Sequence, residues 1–135
     1  MRTALRALAL LPLAACMGTS PPESEEIEVS PEQGAVLFAQ NCASCHGADA
    51  RGGEGPDLTG IAGRNDGDFP WEDVLSTIDG YGAHGRAMPE FGASDLGPLV
   101  NVEVQGLGIP VPADLLSLGM FVNSVQDPPS NPLER

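Results

Sequence analysis

Two short stretches carry most of the groups able to do chemistry: NCASCHG at residues 41–47 and HGRAMPEFG at residues 84–92. Cys42 and Cys45 are three apart, so one helical turn puts both sulfurs on the same side. His46 follows at once, and this spacing is the one used for c-type haem attachment. Thioethers from Cys42 and Cys45 would fix the porphyrin edge against the backbone, and the His46 imidazole would reach the iron from one face. Other chemistries can be weighed against this one. A zinc site needs a fourth ligand and usually a second Cys or His cluster, and the only other histidine is His84. A thioredoxin-like redox pair needs a βαβ context, whereas the flanks here read as helical. A Cys42–Cys45 disulfide is geometrically possible in an oxidising compartment. In the second stretch, His84 and Met88 are both candidate metal ligands four residues apart.

The elements that must position these groups can be read from capping and periodicity. Ser30-Pro31-Glu32-Gln33 offers an N-cap serine, proline at the first helical position and glutamine at the third for a capping box. A helix then runs through Val36, Leu37 and Phe38 into CASCH. In NDGDFPWEDVLSTIDGYG, Asp68 is the expected cap of a second helix ending near Gly80, with Val74, Leu75 and Ile78 on its apolar face. PADLLSLGMFVNSVQ starts with proline and spaces Leu115, Leu118, Val122 and Val125 as one stripe of an amphipathic helix. Before it, Val100, Val102 and Val104 alternate with polar residues, the period of a short strand, and Ile109 to Val111 are placed to pair with it as a small hairpin.

Composition bounds what the chain can do. At 135 residues with a formal charge of −13, it has room for one small domain and contains no lysine. Nucleic-acid binding requires clustered cations to neutralise phosphates, so that class is set aside. The acidic field suits basic partner surfaces, or simply solubility. At the N-terminus MRTALR supplies positive charge, ALALLPLAA a short apolar run, and LAAC small residues before Cys16, the order of an export signal. The run is too short to span a bilayer. LAAC resembles the bacterial lipobox, which implies a lipid on Cys16 as the first mature residue and a location on the periplasmic side of a bacterial membrane. With Arg2 and Arg6 removed, four arginines face nineteen acids, a balance of −15. Residues 16–30 then form an acidic, Pro-containing linker that cannot fold alone, with a reach of roughly 20 Å if flexible and about 45 Å if extended.

With these residues in view, the chain resembles a class I c-type cytochrome over residues 31–126. The resemblance implies an all-α cytochrome c fold, three to four helices around one covalent haem, over residues 31–127, with the hairpin near 99–111 as an addition and 128–135 as a flexible tail. GPDLTGIAGR is similar to the family's segment whose proline carbonyl accepts a hydrogen bond from the ligand histidine, which points to Pro56 and to tuning of the iron through that bond. Gly34, Phe38 and Phe121 match the family's crossing of its first and last helices. A tryptophan N–H or an arginine can bond haem propionates, so Trp71 and Arg64 are candidates there.

The second axial ligand follows partly by elimination. Met1 falls in the signal, Met17 in the linker and Met120 inside the last helix, where core packing is the default. Met88 remains, held extended by Pro89 among Gly80, Gly82, Gly85 and Gly92, and AMPEFG resembles the family's methionine ligand loop. Thioether sulfur favours ferrous iron and raises the potential, whereas bis-histidine ligation through His84 would lower it. The expected function is electron transfer by a lipid-anchored monohaem cytochrome, not an enzyme, because two filled axial positions leave no substrate site at the metal. Redox partners would dock transiently. Two alternatives stand beside it: a dedicated cytochrome subunit of a larger oxidoreductase, and a haem protein whose displaceable sixth ligand admits a small gas or peroxide.

Overall fold

A computed structural model describes residues 27–81, 88–92, 95–104 and 106–132. The signal, Cys16, most of the linker and His84 lie outside the described residues. Four helices and one two-stranded sheet make up the rest: α1 (Pro31–Asn41), α2 (Ala43–His46), α3 (Trp71–Asp79), β1 (Leu99–Val104), β2 (Leu107–Pro112) and α4 (Ala113–Ser124), with a 3-10 turn at Gly63–Asn65. The expected all-α architecture with a small hairpin is the one observed.

Helix α1 begins as its sequence dictates. The Ser30 hydroxyl accepts the Gln33 N–H at 3.1 Å, and Pro31 occupies the position whose missing N–H costs nothing. The dominant packing is α1 across α4. A Cβ on Gly34 would lie 2.6 Å from the Ser117 carbonyl carbon and 2.8 Å from Phe121 Cβ, so only glycine allows this backbone approach. One turn along, the Phe38 and Phe121 rings meet at 4.8 Å, tilted by 45°. Ser117, fully buried beneath the crossing, donates to Ala113 C=O at 2.9 Å and accepts the Ser30 N–H at 3.4 Å. Phe38, Ala50, Ile78, Leu115 and Leu118 form the buried core. Val125 lies just past the end of α4 as its C-cap.

Helix α3 starts later than its sequence suggests. Its N-cap is Pro70 with no side-chain cap, and Asp68 instead accepts a hydrogen bond from Asn131 Nδ2 at 2.8 Å. The reason is local: Phe69 precedes a proline, and the proline ring drives the preceding residue out of the helical region, so no helix capped by Asp68 can propagate through it. At the other end Gly80, at φ 90°, terminates α3 as expected.

The hairpin is longer than the alternation alone indicates, with Val100 opposite Val111 and Val102 opposite Ile109 in antiparallel register. Gly106, at φ 80°, supplies the left-handed turn residue. Val111 reaches the core, while Leu107 and Ile109 near the tip are exposed. Within residues 128–135, read from the sequence as a flexible tail, Ser130 and Asn131 hydrogen-bond back to the body. Ser130 Oγ donates to Asn123 Oδ1 at 2.7 Å and Asn131 N–H to Gly67 C=O at 2.7 Å.

Candidate haem site

Cys42 caps the end of α1, and its carbonyl accepts the N–H groups of Cys45 and His46 at 3.1 and 3.0 Å, which winds CASCH into the single turn of α2. Cys42 is half-buried and Cys45 exposed, and both are free thiols. Burial, with a smaller contribution from neighbouring Cys45, pushes the Cys42 thiol above its usual range. The disulfide weighed above is therefore not formed, and among the described residues no cluster of metal-binding side chains accompanies the pair.

A glycine-rich loop closes over this turn. Gly52 N–H bonds to His46 C=O and Gly55 N–H to Cys45 C=O, both at 2.8 Å. His46 is only 7% exposed, and its Nδ1 lies 2.9 Å from the Pro56 carbonyl oxygen. A carbonyl can only accept, so Nδ1 carries the proton and the lone pair resides on Nε2. Among the described residues Nε2 has no hydrogen-bond partner, and it is not wholly buried. A Cβ on Gly55 would sit 2.9 Å from His46 Cε1 and 3.0 Å from Nδ1, so the loop fits closely against the imidazole ring. The Pro56 carbonyl thus lies against the Nδ1 side of the imidazole.

Met88, Phe91, Leu58 and Leu75 are apolar side chains packed on the core yet only partly buried, and Cys42 belongs to the same cluster. Met88 and the cysteine turn therefore border one apolar body. Phe91 and Gly92 are fixed by N–H bonds to Ile78 and Asp79 carbonyls, at 3.2 and 2.8 Å, which ties the chain after Met88 to the end of α3. The donor set fits haem c: two unbridged thiols three residues apart, an imidazole with its Nε2 presented, a thioether on the same apolar cluster, and half-buried hydrocarbon for a macrocycle to cover.

The two candidates for propionates are placed differently. Arg64, in the 3-10 turn, donates to the Asp57 carbonyl at 3.3 Å and so stays beside the Pro56 loop. Trp71 packs edge-on against Phe69 at 4.9 Å, with its ring near Gly119 of α4, and its indole N–H has no partner among the described residues. Two residues missed by the sequence reading are Gln126, just past the end of α4, and Asp57, next to Pro56. Gln126 is buried and binds the loop after Pro56, accepting from Ala62 N–H at 2.8 Å and donating to Leu58 C=O at 2.9 Å. Its only sequence signal is position, four residues beyond Val122, where the buried stripe of α4 would continue past the helix end. Asp57, whose carboxylate accepts both the Thr59 hydroxyl and N–H at 2.7 Å, is held below the usual carboxylate range by those bonds, the hydroxyl's first, with Arg51 and Arg64 adding to the effect.

Helices crossing at a glycine, a haem-attachment turn and a histidine aimed by a proline carbonyl define a c-type cytochrome domain, and its cofactor is haem c. Residues 29–99, just over half of the chain, match the family described as cytochrome c oxidase, cbb3-type, subunit III, and the chain belongs to that family. It is 41% identical over 69 residues to the cbb3-type cytochrome c oxidase subunit FixP of Azorhizobium caulinodans, covering 45% of this chain and 22% of that protein. It is 32% identical over 99 residues to the cbb3-type cytochrome c oxidase subunit CcoP of Rubrivivax gelatinosus, covering 73% of this chain and 27% of that protein. The chain thus spans about a quarter of the length of these curated relatives. The family match ends at Leu99, where the hairpin begins. No helix among the described residues is long and apolar enough to cross a membrane.

Proposed function

We propose that this protein is a lipid-anchored monohaem electron carrier with His46 and Met88 as axial ligands, and that it is not itself an enzyme. Haem c, when bound, supplies the one-electron Fe(II)/Fe(III) couple. The observation that carries the reading is the His46–Pro56 bond beside two free thiols. Cys42 and Cys45 would hold the ring covalently. The Pro56 carbonyl keeps His46 in the tautomer that presents Nε2 and increases the basicity of that nitrogen. Met88 is supported by its place on the apolar cluster shared with Cys42. Arg64 beside the Pro56 loop, and Trp71, would satisfy propionate charge that an acidic protein cannot leave bare. Export and a lipid on Cys16 rest on LAAC, and the acidic linker would let the domain turn toward partners.

A second reading is favoured by the relatives, both named as subunits of a cbb3-type oxidase. In it the chain is a dedicated cytochrome subunit of a larger oxidoreductase, and the hairpin beyond the family match is where an assembly partner would sit.

The visible spectra of the haem-loaded wild type, Met88→Ala and His84→Ala test the ligation. The far-red sulfur-to-ferric-iron band is expected in wild type and His84→Ala and absent in Met88→Ala. Its survival in Met88→Ala, or its loss in His84→Ala alone, defeats the assignment. Carbon monoxide binding to the reduced protein at neutral pH would instead favour a displaceable sixth ligand. Transfer of Cys16→Ser protein from the membrane to the soluble fraction checks the anchor. Co-purification with an oxidase from solubilised membranes separates the subunit from the free carrier.

A further inference from the structure

We infer that Gln126 is a positioning residue for the axial histidine, acting through the Pro56 loop; the inference rests on His46 being a haem ligand. The 57–62 segment has neither helix nor strand to absorb its backbone groups, so where those groups bond decides where Pro56 points. Pro56 has no N–H of its own to anchor it. Before it, Gly55 N–H bonds to Cys45 C=O at 2.8 Å, and after it, Leu58 N–H bonds to Ala50 C=O at 2.9 Å. Residues 64–67 add local bonds to the carbonyls of Asp57, Gly60 and Ala62; among the described residues, the other ties of this segment to distant parts of the chain are made just past the end of α4. Gln126 takes the Ala62 N–H and the Leu58 carbonyl, and Asp127 N–H bonds to Thr59 C=O at 2.8 Å.

The same carboxamide donates to Val122 C=O at 2.6 Å, so the Gln126 side chain is braced on the last turn of α4 while it holds the loop. Its amide therefore has one acceptor and two donors in use and is 6% exposed. An apolar replacement strands the buried Ala62 N–H and the partly buried Leu58 carbonyl of the loop. His46 hangs from α1 and α2, and α1 is fixed on α4 by the Gly34–Ser117 contact. The two ends of the His46–Pro56 bond are thus both referenced to α4, one through the helix crossing and the other through Gln126. Releasing Gln126 frees only the carbonyl end, so the imidazole should lose its fixed acceptor while the helices stay packed.

The test compares haem-loaded Gln126→Met with haem-loaded Ser117→Ala, which removes the buried hydroxyl bonds of α4 but keeps the Gly34 contact with the Ser117 backbone and does not touch the loop. Solvent exchange of the His46 Nδ1–H in the reduced protein, exchange of the Ala62 amide, the midpoint potential and the melting temperature are measured in each. Expected for Gln126→Met are exchange at both sites faster by about tenfold, the scale of one lost hydrogen bond, and an upward shift in potential. Ser117→Ala should melt lower with His46 exchange and potential unchanged. If Gln126→Met lowers the melting temperature yet leaves His46 exchange and potential at wild-type values, the glutamine is only structural and the inference is overturned. Should Gln126→Met not fold, Gln126→Asn, which withdraws the amide by one methylene, is read by the same criteria. A haem-loaded wild type whose spectrum is unchanged by His46→Ala overturns the functional reading and this inference together. Normal His46 ligation with an insensitive Nδ1–H overturns this inference alone.

Discussion

Replacing Gly55 with alanine perturbs the axial histidine through a single methyl group. Gly55 does not have a positive φ, so alanine is allowed by the backbone and any effect must come from contact. The new Cβ would lie 2.9 Å from His46 Cε1 and 3.0 Å from Nδ1, and the nearest backbone atom, Cys45 O, is at 3.3 Å. Carbon pairs settle near 3.5 Å or more, so the ring must give way by about 0.5 Å. That movement comes at the expense of the 2.9 Å bond to the Pro56 carbonyl. The bond places partial negative charge on the imidazole and thereby favours ferric iron, so weakening it raises the reduction potential. A loss of about 1 kcal/mol of difference between the two oxidation states is about 40 mV for a one-electron couple. Overpacking should also cost about 1–3 kcal/mol of stability. Redox titration of the haem-loaded protein reads the first quantity and denaturant unfolding the second. Gly108→Ala is the control, because a Cβ there meets nothing within 4 Å. A Gly55→Ala potential equal to or below that of Gly108→Ala, with the His46 Nδ1–H still protected, would refute the reasoning.

Gly34→Ala should be more damaging to the fold, because the methyl group would fall on the Ser117 carbonyl, which is backbone and cannot rotate away; a loss of at least about 3 kcal/mol is expected in denaturant unfolding, the upper end of overpacking effects. Ser30→Ala removes the cap on Gln33 N–H and should lower stability by about 1 kcal/mol with the haem spectrum unaltered. Thr59→Val removes the hydroxyl that does most to depress the Asp57 carboxyl. A depressed folded-state value means the stabilisation is present above the ordinary value of 3.8 and is lost as pH falls through the folded one, so the wild-type advantage over Thr59→Val should be present at pH 7 and shrink below pH 3.8 in unfolding series. Asp127→Asn breaks the Arg51 ion pair, whose partners are 56% and 66% exposed, and should change stability by no more than about 0.5 kcal/mol, even at low salt.

The comparison of sequence with structure divides along physical lines. Features enforced within one or two turns of chain were legible: the Ser30 cap, the turn joining Cys42, Cys45 and His46, the Gly80 stop, and the alternation that became β1. Where two local preferences competed, the covalent one won. Asp68 is a good capping residue, but Phe69 stands before a proline, and ring sterics outweigh a capping bond worth about 1 kcal/mol. Pro56 was legible only by resemblance, since nothing within the loop itself says that its carbonyl meets His46 Nδ1 ten residues upstream. Composition and spacing alone determined that the chain can hold a haem covalently, and that it cannot serve as a cation-rich binder. Only the tertiary structure decided that Gly55 rests against the imidazole, that Met88 shares an apolar cluster with Cys42, and that Gln126 spans 64 residues to take the Ala62 N–H. A buried amide is satisfied by whichever backbone groups the packing of α4 brings within 3 Å, and that is a property of the folded chain, not of its neighbours in sequence.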